Sequence, residues 1–211
     1  MKPDQPYPTH FRVALLVAVT VGALVSYGAA EGMSAAIMAP DLPRDDGLNL
    51  GAVGRFIPYA KEQEQALKAS QRAALGAIES MGASRVVILF GLSAAASIVF
   101  VSALFLRWAA HAPKLAVARR LGGAAIGAAI FRTLKGAQDL VITRRTTEAW
   151  NRVLIEQNVP DAVASAGFTQ ILGVLSVGWT AFVVALLLAL ASYFRGEKVR
   201  SLLETPSGDE G

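Results

Sequence analysis

Three ionisable residues follow directly on a run of small and apolar side chains. Residues 121–131 carry no polar side chain, and Arg132, Lys135 and Asp139 come next. Because residues three and four apart share a face of a helix, these three are predicted to lie on one side of it. Lys135 precedes Asp139 by one turn and is predicted to form an ion pair with it. Ionisable residues inside a membrane are candidates for function, as a structural pair or as a polar path.

Other residues that commonly carry chemistry are scarce. The chain has no cysteine and only two histidines, His10 and His111, and neither has a carboxylate or a second histidine at ligand spacing. No phosphate-binding loop occurs, and no nucleophile motif of the G-x-S-x-G type. The sequence therefore predicts no enzymatic activity, no metal site and no cofactor.

The composition is typical of a membrane protein. Of 211 residues, 54% are hydrophobic and 17% are charged. Soluble domains are about 45–50% apolar and about 25% charged. The formal net charge is +4. Basic residues that anchor loops on the cytoplasmic side of a membrane explain this charge, so no nucleic-acid partner is predicted.

Two segments are long enough to cross a bilayer as helices. Residues 86–106 and 173–194 contain no charged residue, and a bilayer core needs about 20 apolar residues in a helix. Both are predicted to be membrane spans, and the second span is predicted to cover residues 171–194. Residues 13–30 form a third apolar run. Two interpretations of this run stay open: an uncleaved membrane anchor, or a secretory signal that is removed after its small residues.

Basic residues at the ends of these segments predict their orientation. The cytoplasmic anchors are Arg107, Arg119 and Arg120 after the first of the two spans and Arg195 after the second. Cytoplasmic loops are enriched in Lys and Arg, so both of these ends are predicted to be cytoplasmic. The chain must then return across the membrane between them, and residues 116–139 supply that span. A three-span alternative keeps residues 107–170 in the cytoplasm.

The predicted fold is therefore an all-α, multi-pass protein of the inner cell membrane with four transmembrane helices. Its cytoplasmic parts are predicted to be residues 1–12, 107–115 and 195–211, and its extracytoplasmic parts residues 31–85 and 140–170. A single helix is predicted to run without a break over residues 59–106, because no proline interrupts it. Residues 146–158 are predicted to form a separate amphipathic helix.

Small residues spaced four apart predict close helix packing. These pairs are Gly123 with Gly127, Ser93 with Ser97, and Gly22 with Ser26. Such a spacing lets membrane helices approach closely, either within one chain or in a dimer. In a chain rich in alanine, packing within the chain is the interpretation that we prefer.

Two functions fit this sequence. The first is a non-enzymatic scaffold or assembly partner. It would meet another membrane or extracytoplasmic protein, or a second copy of itself, through the helix before the span at 86–106. The alternative for this helix is that it folds back on its own loop. The second is an oligomeric transporter or channel component, in which Arg132, Lys135 and Asp139 line a polar path. The lipid bilayer is a partner in both. A water-accessible path at the charges would favour transport, whereas a sealed ion pair would favour the structural role.

Overall fold

The computed structural model describes residues 7–38, 60–108, 114–159 and 162–204, and all regular structure within them is helical. The helices are α1 (Thr9–Met38), α2 (Ala60–Trp108), α3 (Lys114–Glu156), α4 (Ala162–Arg195) and α5 (Glu197–Glu204). The predicted all-helical class is therefore confirmed. The start of the predicted helix at residue 59 and most of the basic loop at 107–115 lie outside the described residues, as do parts of both predicted tails.

Among the described helices, three are long and apolar enough to cross a membrane: Thr9–Met38, Lys61–Trp108 and Gly173–Arg195. They contain the predicted spans at 13–30, 86–106 and 173–194. α3, which contains the predicted span at 116–139, is not one of the three. Glycine and alanine add little hydropathy to α3, and charged residues interrupt it. The structure thus supports a membrane protein with three candidate spans, and the count of four is not confirmed.

The chain divides into two compact units. Unit 1 comprises Met1–Gly32, Ile88–Thr133 and Ala181–Gly211, and unit 2 comprises Met33–Val87 and Leu134–Thr180. Helices α1 to α4 therefore each contribute residues to both units, while α5 belongs to unit 1.

Unit 1 has one apolar core to which all five helices contribute. Its buried side chains are Phe11, Leu15 and Ala18 of α1, Val99, Ala103 and Leu106 of α2, Ala118, Leu121 and Ala125 of α3, Leu190, Ala191 and Phe194 of α4, and Val199 of α5. Two of the three side chains from α3 are alanine, and small residues let membrane helices approach closely. The part of α3 in unit 1 therefore packs as a full member of the bundle, although it is less apolar than its neighbours.

The outer surface of unit 1 is apolar as well. Leu16, Leu24 and Phe90 expose 57%, 65% and 63% of their surface. Exposed apolar surface is unfavourable in water by about 25 cal/mol per Å², and soluble monomers rarely carry large patches of it. Helices that are apolar on the side away from their own core are expected where lipid surrounds them.

Unit 2 contains an antiparallel pair formed by residues 60–87 of α2 and 134–156 of α3. Polar contacts join them: Gln157 Nε2 donates to Gln65 Oε1, Arg145 Nη1 donates to Ser80 Oγ at 3.1 Å, and Gln138 Nε2 donates to Ser84 Oγ at 3.4 Å. Residue numbers rise along α2 as they fall along α3, which defines the antiparallel direction. The helix that was expected to meet an outside protein therefore has a partner within its own chain.

α3 ends in a cap that its sequence explains. Asn158 has a φ of 54°, in the left-handed region, which asparagine tolerates better than most residues. The N–H of Val159 donates to the carbonyl of Leu154 at 3.1 Å, and the N–H of Asn158 donates to the carbonyl of Ile155 at 3.1 Å. These two bonds define a Schellman motif. The apolar contact that often accompanies the motif is present, because Val159 and Leu154 share a small buried cluster.

α2 is interrupted at Gly82. The backbone there has φ 42° and ψ −127°, so two helical segments meet at this residue. Glycine adopts a positive φ without the steric penalty of other residues. The prediction of an unbroken helix over residues 59–106 is therefore wrong at Gly82. The absence of proline was not sufficient, since glycine also allows a break. The idea of a straight arm continuing the second span is removed with it, and the scaffold hypothesis loses that support.

The helix predicted at residues 146–158 is present over residues 146–156, but it is the end of α3 and not a separate helix. The Oγ1 of Thr146 donates to the carbonyl of Ile142 at 2.7 Å, a bond that hydroxyls make inside helices.

Within the predicted tail at 195–211, α5 is a helix that sequence reasoning missed. Val199 is buried in the core of unit 1, and Arg200 Nε pairs with Glu204 Oε1 at 2.9 Å. Short helices depend on tertiary packing for their stability, so local sequence indicates them poorly.

Candidate functional site

Asp139 is the centre of a charged cluster in unit 2. Lys135 Nζ, one turn earlier on α3, contacts Asp139 Oδ2, and Arg85 Nη2 from α2 donates to Asp139 Oδ1 at 3.1 Å. The predicted pairing of Asp139 with Lys135 is therefore confirmed. The second cation was not predicted. We call Arg85, Lys135 and Asp139 the charged triad.

The charged triad is largely withdrawn from solvent. The side chains of Arg85, Lys135 and Asp139 expose 9%, 16% and 22% of their surface. Two cations face one carboxylate, so the triad carries a net positive charge. Among the described residues, Nε and Nη1 of Arg85 find no hydrogen-bond partner. Within the described residues, Asp139 is therefore the only acidic residue that pairs with the buried guanidinium of Arg85.

The two ion pairs of the charged triad have different origins: local helix geometry gives one, and the pairing of α2 with α3 gives the other. Lys135 reaches Asp139 because residues four apart are neighbours on a helix. Arg85 reaches it because α2 and α3 run antiparallel in unit 2, and the neighbouring contact of Ser84 with Gln138 has the same register. Thr143 Oγ1 donates to the backbone carbonyl of Asp139 at 2.9 Å and not to its carboxylate. Both carboxylate oxygens of Asp139 are therefore left for the two cations.

This geometry is suited to clamping two helices together. Both oxygens of Asp139 are engaged, one by the same helix and one by the neighbouring helix. Removing one partner of a buried ion pair leaves an uncompensated charge, so such a pair resists separation. A transport path would need a carboxylate that exchanges its partners.

Arg132 is the third of the predicted intramembrane charges, and the structure groups it differently. It is half-buried and belongs to unit 1, whereas Lys135 and Asp139 belong to unit 2. Arg132 does have interactions with other parts of the chain. Of the three residues predicted to share a face, only Lys135 and Asp139 belong to the charged triad, and its third member is Arg85.

The pairing of Arg85 with Asp139 could have been predicted from the depth at which the predicted topology places the two residues in the membrane. It directly precedes the uncharged run at 86–106, and Asp139 ends the predicted span at 116–139. In an antiparallel arrangement both residues reach the same face of the membrane. The periodicity of a single helix does not indicate this pair, because its two residues belong to different helices.

An exposed ion pair on the same helix provides a contrast. Arg144 Nε lies 2.8 Å from Glu148 Oε1, and these side chains expose 80% and 55% of their surface. The hydrogen bond to Glu148 raises the pKa of Arg144 above its already high ordinary value. The guanidinium was charged at every physiological pH in any case, so this pair is a solvated surface feature.

The predicted packing residues have different outcomes. Ser97 Oγ lies 2.7 Å from Ser26 Oγ of α1, and Ser93 Oγ lies 3.4 Å from it, so both serines join α2 to α1. A Cβ on Gly127 would lie 3.7 Å from Ala95 Cβ, which is ordinary packing. Gly123 is exposed, and a Cβ there would meet no atom within 4 Å. The prediction that Gly123 packs within the chain is wrong, because it lies on the outer side of α3.

Two further glycines lie at tight contacts. A Cβ on Gly22, which was predicted with Ser26 to be a packing position, would lie 2.8 Å from the backbone N of Phe100, so two helix backbones approach closely there. A Cβ on Gly91 would lie 2.5 Å from the side-chain ring of Phe131. The spacing of small residues indicated Gly22 but not Gly91, because which face of a helix is buried depends on its neighbours.

The basic anchors all lie at exposed positions in unit 1. They are Arg107, Arg119, Arg120 and Arg195. Arg107 lies over the ring of Trp108 at 5.5 Å. The Cγ of Arg195 lies 2.6 Å from the place where a Cβ on Gly122 would stand. Its aliphatic stem therefore packs on α3 while its charge stays at the surface, as long basic side chains do at membrane boundaries.

Comparison with known proteins assigns no relative: no family model matches the chain, and no curated protein and no solved structure is significantly similar to it. Within the described residues, no group of three or more His, Asp or Glu side chains is placed to hold a metal ion.

Proposed function

We propose that this chain is a multi-pass protein of the inner membrane with four spans, the third of which is residues 116–139 of α3. Its support is the core of unit 1, where Ala118, Leu121 and Ala125 pack in the same cluster as side chains from α1, α2 and α4. These shared contacts with α1, α2 and α4 support a span in this part of α3. Its basic first turns then reach the cytoplasmic interface, since long basic side chains extend toward headgroups.

Within that topology, we propose a non-enzymatic scaffold or assembly role for the antiparallel pair of unit 2. The observation that carries this is the pairing itself. Polar side chains of the two helices bond one another along the pair, from Gln65 with Gln157 to Arg85 with Asp139. Two helices held together in this way form a preorganised surface, and preorganisation lowers the entropic cost of binding another protein.

A groove between the two helices is the part of this surface that best fits a partner. It has a volume of about 400 Å³ and is lined by Ala73, Gly76, Ala77 and Ala149, with Arg145, Glu148 and Arg152 around them. Small side chains make the floor shallow and the charged residues form a polar rim. An apolar centre with a polar rim is the usual anatomy of a protein interface.

The test fills this groove without disturbing the helix pair. A Cβ on Gly76 would meet no atom within 4 Å, and the same is true of Gly28 on α1. Gly76→Leu therefore blocks the groove, and Gly28→Leu is the matched control. Tagged full-length protein is crosslinked in its native membrane and purified, and the partners are identified by mass spectrometry. We expect the same partner with the parent and Gly28→Leu, and a loss of roughly tenfold or more with Gly76→Leu.

Recovery of an identical set of proteins with the parent and both variants would contradict the scaffold surface. Transport is the alternative outcome. It would be favoured if the purified protein alone supported ion flux in liposomes and if Asp139→Asn abolished that flux while the protein stayed folded.

A further inference from the structure

A groove at one end of unit 1 combines two cations with apolar side chains. It lies where α1 begins and α2 ends, has a volume of about 540 Å³, and is lined by residues that include Tyr7, Arg12, Val13, Leu16 and Arg107. Val13 and Leu16 are both more than half exposed. The two arginines come from different helices that are each apolar enough to span a membrane.

The charge of this groove is not balanced by the described part of the chain. Neither Arg12 nor Arg107 forms an ion pair with a described residue. Among the described residues, none of those that line the groove is acidic. Lys114, whose Nζ lies 5.2 Å over the ring of Tyr7, adds a further positive charge close by. An anionic ligand is therefore the complementary one.

The apolar side chains decide which kind of anion fits. Val13 and Leu16 follow Arg12 along α1, so an anion held by Arg12 has exposed apolar surface beside it. A free phosphate would leave that surface uncovered. A phospholipid covers it with its acyl chain, while arginines bind phosphate oxygens through charge-assisted hydrogen bonds.

We propose that this groove binds the phosphate headgroup of an anionic phospholipid, with an acyl chain lying over Val13 and Leu16. A zwitterionic lipid carries its own positive charge and gains less from two arginines. Basic pockets between transmembrane helices on the cytoplasmic side are suited to anionic headgroups. The proposal needs α1 and α2 to cross the membrane, and it is independent of the scaffold role.

The experiment compares two lipids and three forms of the full-length protein. Protein stripped of lipid in detergent is titrated with phosphatidylglycerol or with phosphatidylcholine of the same acyl chains, and bound lipids are counted by native mass spectrometry. The variants are Arg12→Gln with Arg107→Gln, and Arg120→Gln as the matched control. Arg120 is an exposed arginine of unit 1 that does not line the groove.

We expect the parent to bind its first phosphatidylglycerol roughly tenfold or more tightly than phosphatidylcholine. The double variant should lose this preference, and Arg120→Gln should keep it within about twofold. Because Arg12 and Arg107 are exposed, both variants should melt at the parent temperature. If the double variant is not recovered folded, the two single variants are compared with Arg120→Gln in its place.

Three results would overturn the proposal. The first is equal binding of both lipids by the parent. The second is an equal loss of preference in Arg120→Gln, which would indicate a diffuse positive surface. The third is displacement of phosphatidylglycerol by glycerol phosphate at a similar concentration, which would indicate a site for free anions. Leu16→Ser adds a check on the acyl chain, since it should weaken phosphatidylglycerol binding and leave the charge of the groove unchanged.

Discussion

The carboxylate of Asp139 shows that the burial of an ion pair determines how much the pair contributes to stability. Lys135 pairs with Asp139, and Arg144 pairs with Glu148, at the same spacing on the same helix. The first pair is largely buried and shares its carboxylate with Arg85, whereas the second is exposed. An exposed pair contributes about 0–1 kcal/mol because water solvates both charges. In a buried group the loss of one partner is far more costly, because the other charge stays without a counter-charge.

Asp139→Ala is expected to destabilise the protein by about 3–5 kcal/mol, since it leaves two buried cations without a carboxylate. Glu148→Ala, on the same helix, is the matched control and should stay within about 0.5 kcal/mol of the parent. Thermal unfolding of the purified variants in detergent measures both. A melting temperature of Asp139→Ala equal to that of Glu148→Ala would contradict the clamping role of the charged triad.

The rank of the double variants gives a second readout. Adding Lys135→Ala to Asp139→Ala should restore part of the stability by removing one unpaired cation. Adding Arg85→Met should restore more, because the Arg85 side chain is the less exposed of the two, at 9% against 16%. The reverse rank would mean that Lys135 is the more strongly dependent cation.

At the scale of elements, α1 packs closely against α2 in unit 1. Gly22 brings the helix backbones together, and Ser26 bonds Ser97 one turn further on. Phe11, Leu15 and Ala18 of the same helix are buried in the core of unit 1. An uncleaved anchor would keep this core covered, whereas removal of a signal would expose it.

Gly22→Ala tests this contact. A Cβ at Gly22 would lie 2.8 Å from Phe100 N and 3.0 Å from Ala96 O, and these backbone atoms cannot move aside. We expect a loss of about 1–3 kcal/mol, the usual cost of overpacking. Gly28→Ala has open space around it and should be neutral or stabilising by up to about 1 kcal/mol, since alanine favours helix. Melting curves in detergent should separate the two, and equal curves would contradict the close approach.

For the whole molecule, the absence of cysteine allows a direct test of the proposed topology. Single cysteines at Lys61, Glu156 and Lys198 occupy exposed positions in a chain with no other thiol. Four spans place the first two outside and the third inside the cell. An impermeant maleimide should therefore label Lys61→Cys and Glu156→Cys in right-side-out vesicles, and Lys198→Cys only in inverted vesicles. Labelling of Glu156→Cys only in inverted vesicles would support the three-span alternative.

Much of the helical structure could be predicted from the sequence. The uncharged runs at 86–106 and 173–194 determine helices because unpaired backbone polar groups are too costly in lipid. The pairing of Lys135 with Asp139 could be predicted too, since helix periodicity alone brings them together. The Ser93 and Ser97 contacts followed from the need of membrane helices for small polar residues where they touch. Each of these depends on residues that are close along the chain.

The tertiary structure decided the features that depend on residues far apart in the chain. Arg85 and Asp139 meet because α2 and α3 pair in unit 2, and no local pattern specifies that register. Gly22 is a contact and Gly123 is open because neighbouring helices cover one and not the other. Gly82 breaks α2 although other glycines stay helical. Local sequence limits which backbone conformations are accessible, and the packing of side chains that are distant in the chain selects among them. This selection depends on the free energy of the whole fold.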